Sequence, residues 1–390
     1  MTGSFGVNEE PALAWDNGKS QSNVRFIVKV GGAAISDKTC FETLNHTVLE
    51  MTACHLQEAA GIEATDGRSD GGDDLNKDGV FQVKDRQLHN RKVGMVVVHG
   101  AGSFGHFTAS KYHLGRGGFG TCYRTAMGLA KTRASVTHLN QTLVQTLIRH
   151  GVPAVGISPF AAGWRTKFGG QAVERDGNHG MDIICQVLRS GLVPVMHGDA
   201  SFEIGQGVAI LSGDVIIRHM AKALCPQFVV FLTDVPGVFN RPPSVEGATL
   251  LREIEVDDDG GWIVVNPPEE NVRTDGAHGA ETVVTTVSPH DATGGMAAKI
   301  KEAATIAAAG VPVLIAQAGT AHALAACKGD VYTHSPITSE APCQVNDLSG
   351  NSMAIRGDWI GTIVRKRKPL LYDAPQKGGG GGGGGGASGS

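Results

Sequence analysis

The feature that most constrains this chain is a rhythm in which short apolar runs, rich in β-branched residues, alternate with longer helical patterns. The runs fall at 24–30, 93–98, 153–157, 192–196, 228–232 and 311–316, with a closing run at 359–365. They are apolar at successive rather than alternate positions. A strand apolar on both faces must be covered on both faces, which is the condition of a buried parallel sheet. The clearest helical pattern is 123–150, where Met127, Ala130, Ala134, Leu139, Leu143, Leu147 and Ile148 approximate one stripe. Alternating strand and helix predicts an α/β fold, a three-layer α/β/α sandwich with a mainly parallel central sheet.

At 41% hydrophobic and 18% charged residues, the 390-residue chain is too apolar for wholesale disorder, and its 55 glycines lack the collagen period. The longest apolar runs, such as 95–98 and 228–232, fall far short of the ~18–20 residues that span a bilayer, so no membrane helix is expected. Residues 1–20 carry acids and no apolar core after a basic start, unlike a secretory signal. The expectation is a cytoplasmic protein whose seven scattered cysteines are reduced thiols.

Residues 1–23 and 369–390 read as flexible tails, the second holding nine consecutive glycines. Residues 24–368 read as one domain with polar, glycine-rich insertions near 61–79, 257–290 and 329–350. A net charge of −4 argues against a nucleic-acid partner. The charge is uneven, however: from Arg86 to Val173 there is no Asp or Glu, while eleven cationic residues occur there. Such a window suits a small anionic ligand, or simply a solvated basic face.

In open parallel sheets, ligands bind beyond the carboxyl ends of strands. The residues just after each run form a consistent set. Lys29 ends the first run and Gly31-Gly32 follow it; the second is followed by His99-Gly100-Ala101-Gly102-Ser103-Phe104-Gly105-His106. Further on come His197-Gly198-Asp199, then Thr233-Asp234-Val235-Pro236-Gly237, then Asp291-Ala292-Thr293-Gly294-Gly295-Met296 ahead of Lys299. Glycine lets backbone N–H groups approach an oxyanion, and a helix N-terminus adds partial positive charge. Gly100, Gly102 and Gly105 also spell a dinucleotide fingerprint, but the acid it needs about 20 residues later is absent. A Walker A loop fails as well, because Gly18-Lys19-Ser20 precedes the first strand and has Leu13 at the first glycine position. Lys29, Lys38 and Lys299 beside glycine turns are the equipment of phosphoryl transfer, in which positioning and charge neutralisation supply most of the catalysis.

These motifs, with Leu211-Ser212-Gly213-Asp214 and the closing Gly361-Thr362, occur in an order that resembles the amino acid kinase superfamily and, within it, the isopentenyl phosphate kinase family. The resemblance runs from about residue 24 to Ile363 and implies the amino acid kinase fold. It implies an acceptor-binding part at about 24–200 and a nucleotide-binding part at about 201–368. It further implies ATP and Mg2+ as cofactors, an isoprenoid monophosphate acceptor and a homodimer. By the same resemblance Lys29, Gly31 and Gly32 hold ATP phosphates and Lys38 stabilises the transferring group. Ala101, Gly102, Gly105, His106 and Gly198 line the acceptor, with Gly102 also touching ATP. Asp214 orients the lysines, and Asp234, Gly237, Gly295 and Lys299 belong to the nucleotide side. The catalytic set is then Lys29, Lys38, His106 and Asp214. One departure is Ala33, where the family usually has Ser. Other acceptors in the same superfamily (UMP or a carboxylate), a nucleotide-sensing module without turnover, and a dehydrogenase remain as alternatives.

Overall fold

A computed structural model describes residues 24–62, 93–116, 122–167, 171–174, 179–205, 207–266, 273–274, 295–332, 345–346, 352–353 and 355–367. In chain order the strands of the first half are β1 (Phe26–Val30), β2 (Met95–His99), β3 (Ala154–Gly156), β4 (Trp164–Lys167), β5 (Gln171–Glu174), β6 (Val193–His197), β7 (Asp199–Ile204) and β8 (Gly207–Leu211). Those of the second half are β9 (Phe228–Thr233), β10 (Val238–Phe239), β11 (Leu250–Leu251), β12 (Glu253–Val256), β13 (Trp262–Asn266), β14 (Arg273–Thr274), β15 (Val313–Gln317), β16 (Val345–Asn346), β17 (Ser352–Met353) and β18 (Thr362–Lys366). The helices are α1 (Gly32–Ile35), α2 (His46–Ala59), α3 (Gly102–Lys111), α4 (Tyr123–Arg149), α5 (His179–Arg189), α6 (Gly213–Leu224), α7 (Gly295–Ala308) and α8 (Ala321–Lys328).

Ten strands form the central sheet in the order β14-β13-β12-β18-β15-β9-β1-β2-β6-β3. From β3 through β15 every pairing is parallel, as the doubly apolar runs require. All residues of β1, β2 and β6 are buried. On one face Ile27, Val96, Val98 and Phe231 pack against Ile216 and Ile217 of α6 and Ile300 and Ala303 of α7. On the other, Phe26, Val28 and Val30 meet Leu49 and Leu56 of α2, Phe104 of α3, Leu139 and Leu143 of α4, and Ala326 of α8. Each such Val, Leu, Ile or Phe side chain contributes roughly 1.5–3 kcal/mol on burial, which makes this two-sided core the main source of stability. The alternation along β1 also places Lys29 on the Ile27 face, toward α6.

The closing run runs antiparallel: β18 pairs antiparallel with β15 and parallel with β12, so the end of the chain is inserted inside the sheet. A second sheet, β5-β4-β7-β8, has no counterpart in the sequence reading. The segment expected as an insertion at 257–290 begins with β13 and β14, which extend the central sheet at its edge. Most of the other two expected insertions, and both tails, lie outside the described residues.

Helix α4 ends at Arg149, close to expectation, but its buried stripe is different. Leu139, Leu143 and Leu147 are buried, whereas Ala130, Ala134 and Ile148 are exposed. Its first half buries Gly128, Thr132 and Ser135 instead. The reason is α3 and the turn after it: a Cβ on Gly128 would lie 2.5 Å from Tyr112 Cβ, so small residues are selected where that side chain presses on the helix.

Candidate active site

The carboxyl ends of β1, β2, β6 and β9 meet at one rim. Gly31 N donates to Leu232 O (2.7 Å), Gly100 N to Val30 O (2.9 Å) and Gly198 N to His99 O (2.9 Å), so the turns after these strands are tied in sequence. The contact between the first two turns is so close that a Cβ on Gly32 would fall 2.1 Å from Gly102 N. Gly102 has φ +51°, and a Cβ there would meet Gly32 O at 2.7 Å. The bareness of both glycines is therefore already demanded by backbone against backbone. Ser36 ties the same turns: its Oγ donates to Gly32 O (2.8 Å) and accepts from Ser103 N (3.0 Å). That hydroxyl is engaged and buried, so it does not stand in for the serine replaced by Ala33.

Lys29 is only 5% exposed, and its Nζ pairs with Asp214 Oδ1, 7% exposed, in the first turn of α6. Ser212 caps that helix: its Oγ accepts from Asp214 N (3.2 Å) and donates to Asp214 Oδ2 (3.2 Å). The helix N-terminus favours the same carboxylate. Lys29 Nζ also lies 5.6 Å from the centre of the Phe231 ring. One helix over, Glu302 of α7 accepts from Arg218 Nη1 (3.1 Å). Burial raises the Glu302 pKa most; Arg218 opposes this, while Asp214 raises it further and Lys301 and Lys29 lower it.

Lys38 is on the loop after α1, half exposed, and its Nζ meets Asp234 Oδ2 at 2.5 Å just beyond β9. These are the two residues given to the transferring group and to the nucleotide. Gly237 is shaped by the closing strand, since a Cβ there would lie 2.6 Å from Thr362 Oγ1. Thr362 Oγ1 accepts from Val238 N (2.8 Å) and donates to Leu251 O (2.6 Å). Gly295 opens α7 and Lys299 is one turn further on, with α7 packed on α6; residues 291–294 lie outside the described residues.

On the side expected to hold the acceptor, the glycine loop anticipated after β2 is largely helix. Gly105 N donates to Ala101 O (3.2 Å), closing a first turn that begins at Gly102, and His106 is a half-buried residue of α3 rather than a loop residue. Gly105 is a packing glycine: a Cβ would lie 2.4 Å from Ala101 Cβ and 3.0 Å from Val136 Cγ1 of α4. Gly198 sits between the turns, where a Cβ would be 3.3 Å from Gly213 N and 3.7 Å from Ala101 N.

Several described cations of the acid-free window are engaged away from the Lys29 and Lys38 pairs. Arg133 Nε faces Asp199 Oδ2 at 3.5 Å and its guanidinium lies 3.9 Å from the centre of the Phe160 ring. Arg149 is paired with Glu50, while Lys111 and Lys131 border a cleft of about 710 Å³ between α3, α4 and Phe41. None of the residues named above for the rim lines that cleft.

Three polar residues beneath the rim were given no role from the sequence: His99 and His197, named there only as the first residues of their motifs, and Asn140, not singled out at all. The rings of His99 and His197 are buried, stacked with centroids 5.6 Å apart, and in register on β2 and β6. His99 Nδ1 is 3.0 Å from Gly100 O and its Nε2 is 3.1 Å from Asn140 Nδ2. His197 Nδ1 is 3.1 Å from Gly198 O. Burial, reinforced by His197, pushes the His99 pKa from 6.5 down to about 3. Burial lowers that of His197 and raises that of Asp199. The available signal was the repeated His-Gly pair, at 99–100 and 197–198.

Residues 83–317 match the amino acid kinase family. The chain is 41% identical to the isopentenyl phosphate kinase of Arabidopsis thaliana over 89% of its own length and 97% of the relative's. It is 31% identical to that of Methanothermobacter thermautotrophicus over 61% of its length and 81% of the relative's. A crystal structure of isopentenyl phosphate kinase superposes with a TM-score of 0.56 at 25% identity, covering 78% of this chain and 96% of that one. With the parallel sheet, the glycine turns at its rim and the buried Lys29–Asp214 pair, these likenesses place the chain in the amino acid kinase family, among the isopentenyl phosphate kinases.

Proposed function

We propose that this rim transfers the γ-phosphoryl group of ATP to isopentenyl phosphate, giving ADP and isopentenyl diphosphate. The observation that carries the reading is the buried Lys29–Asp214 pair at the junction of the glycine turns. A phosphate monoester has a second pKa near 6, so its attacking oxygen is already largely deprotonated at neutral pH and needs no strong base. The obstacle is repulsion between two anions, about 4 kcal/mol per unit pair at ~4 Å and an effective dielectric of ~20.

Lys29, oriented by Asp214, offsets that repulsion beside Gly31 and Gly32 on the ATP phosphates. Lys38 moves from Asp234 to the transferring group; its exposure and its loop position support this. Ala101, Gly102 and Gly198 present the acceptor side, with Gly105 holding α3 close, and His106 donates a hydrogen bond to the acceptor phosphate. Asp234, Gly237, Gly295 and Lys299 serve the nucleotide. The halves at about 24–200 and 201–368 then carry acceptor and nucleotide respectively.

Magnesium fits this arrangement as a companion of the nucleotide. Among the described residues no cluster of three His, Cys, Asp or Glu could hold a metal of its own, and Mg2+ is commonly bound through substrate phosphates with one or two carboxylates. Bound there, it neutralises charge on the phosphate oxygens. The homodimer implied by the family resemblance and the cytoplasmic location expected from the sequence are tested by sedimentation and cell fractionation. No described helix is long and apolar enough to cross a membrane.

The deciding experiment is ADP release with isopentenyl phosphate, dimethylallyl phosphate, UMP and glutamate side by side. Preferential turnover of isopentenyl phosphate is expected. Preferential turnover of UMP or glutamate, or ATP binding without turnover of any acceptor, overturns the assignment.

A further inference from the structure

The stacked histidines His99 and His197 have no part in the chemistry just described, yet each is attached to a peptide of the acceptor rim. A carbonyl oxygen only accepts hydrogen bonds, so the nitrogen facing it must carry the proton. His99 Nδ1 faces Gly100 O at 3.0 Å, and His197 Nδ1 faces Gly198 O at 3.1 Å. On His99 this leaves Nε2 as an acceptor, and the partner found there is the Asn140 amide, whose Nδ2 is 3.1 Å away and also reaches Val195 O at 3.3 Å. The ring, the amide and both carbonyls are thus satisfied by one neutral tautomer. The charged groups beside the pair are Asp199 and its partner Arg133, and both act on His197 rather than on His99.

A trans peptide carries its C=O and N–H on opposite sides. With the Gly100 carbonyl turned toward a buried ring, the Ala101 N–H points away from that ring, and Ala101 N lies 3.7 Å from where a Cβ on Gly198 would be. Glycine on the carbonyl side leaves the peptide free to flip, and a flipped peptide would aim a carbonyl lone pair at an arriving phosphate.

We propose that His99 and His197 are positioning residues, which clamp the carbonyls of Gly100 and Gly198 so that the rim offers N–H rather than C=O to an anionic acceptor. Each works through its neighbouring glycine, and neither touches substrate. Both rings are buried, so water does not compete for either clamp. This inference rests on the acceptor assignment made above.

The test uses the full chain. Nitrogen-15 NMR of the histidine rings should show both as Nδ1–H tautomers, with His99 not titrating between about pH 5.5 and 8, against the free imidazole's preference for Nε2–H. Asparagine can place its Nδ2 where Nδ1 was, so His99→Asn should leave the KM for isopentenyl phosphate within about threefold of wild type. His99→Leu, which lacks the donor, should raise that KM at least about tenfold while the KM for ATP moves less than about twofold. An Nε2–H tautomer on either ring, or a His99 ring that titrates in that range, overturns the clamp. So does equal damage by both substitutions, or a parallel rise in the KM for ATP, since those are signs of a merely structural histidine. Failure of the acceptor assignment is separable: it appears as absent wild-type turnover of isopentenyl phosphate, with the ring tautomers unaffected.

Discussion

Replacing Asp214 by Asn keeps the side chain's shape and its place above Ser212 but removes the charge facing Lys29. With Lys29 5% and Asp214 7% exposed, water cannot take over the vacated role. Breaking a buried pair by removing one partner costs about 3–5 kcal/mol, because an uncompensated charge is left behind. The Glu302 carboxylate, whose charge is already felt by Lys29 and Asp214, places the expected loss at the lower end, about 3 kcal/mol. Without its partner, Lys29 loses its fixed position at the phosphates, and kcat should fall about 10²-fold or more. Urea unfolding followed by circular dichroism reads the first quantity, and ADP release reads the second. The double replacement Lys29→Met with Asp214→Leu should restore stability to within about 1 kcal/mol of wild type while activity stays lost, separating charge from packing. If Asp214→Asn costs less than about 1 kcal/mol and leaves kcat within about twofold, the pair is neither structural nor catalytic and the reasoning fails.

His106→Ala should lower kcat/KM for isopentenyl phosphate about 10²-fold, roughly 3 kcal/mol, with little change in Tm; unchanged turnover removes its assigned role. Lys38→Met should depress kcat more than ATP affinity, and because Lys38 is 51% exposed its pair with Asp234 should contribute under about 1 kcal/mol to stability. A loss confined to ATP binding contradicts the transition-state role of Lys38. Stability should also depend on pH. The unfolded chain protonates His99 near 6.5, whereas the folded protein resists until about 3, so this contribution to stability is complete above the higher value and is lost as pH falls toward the lower. At about 1.4 kcal/mol per unit its full size is on the order of 5 kcal/mol. Unfolding free energies measured across that range should fall with acid, and His99→Asn should flatten the slope; an unchanged slope in the variant refutes the assignment to His99.

Much of the scaffold was readable from local pattern. Successive apolar positions within β1, β2, β6 and β9 report two-sided burial wherever the strands end up, and the extent of α4 follows from its period. The candidate residues at strand ends were legible for the same reason, because a parallel sheet gathers those ends at one rim whatever the strand order. Where local pattern erred, a contact from elsewhere was responsible. The first half of α4 buries Gly128, Thr132 and Ser135, with Tyr112 pressing on Gly128, and no periodicity in α4 itself records that.

The sequence alone determined the layers of the fold, the glycine turns after its strands and the placement of Lys29 at the end of β1, since each depends on neighbours within a few residues. It takes the assembled fold to bring Lys29 to Asp214, 185 residues away, and Lys38 to Asp234, 196 residues away. The fold likewise decided that Gly32 and Gly102 are bare because of each other, and that His99 and His197 stack in register. Those facts depend on which strand lies beside which. Strand order is set by the competition among all possible crossovers for burial, and no single stretch of chain encodes its outcome.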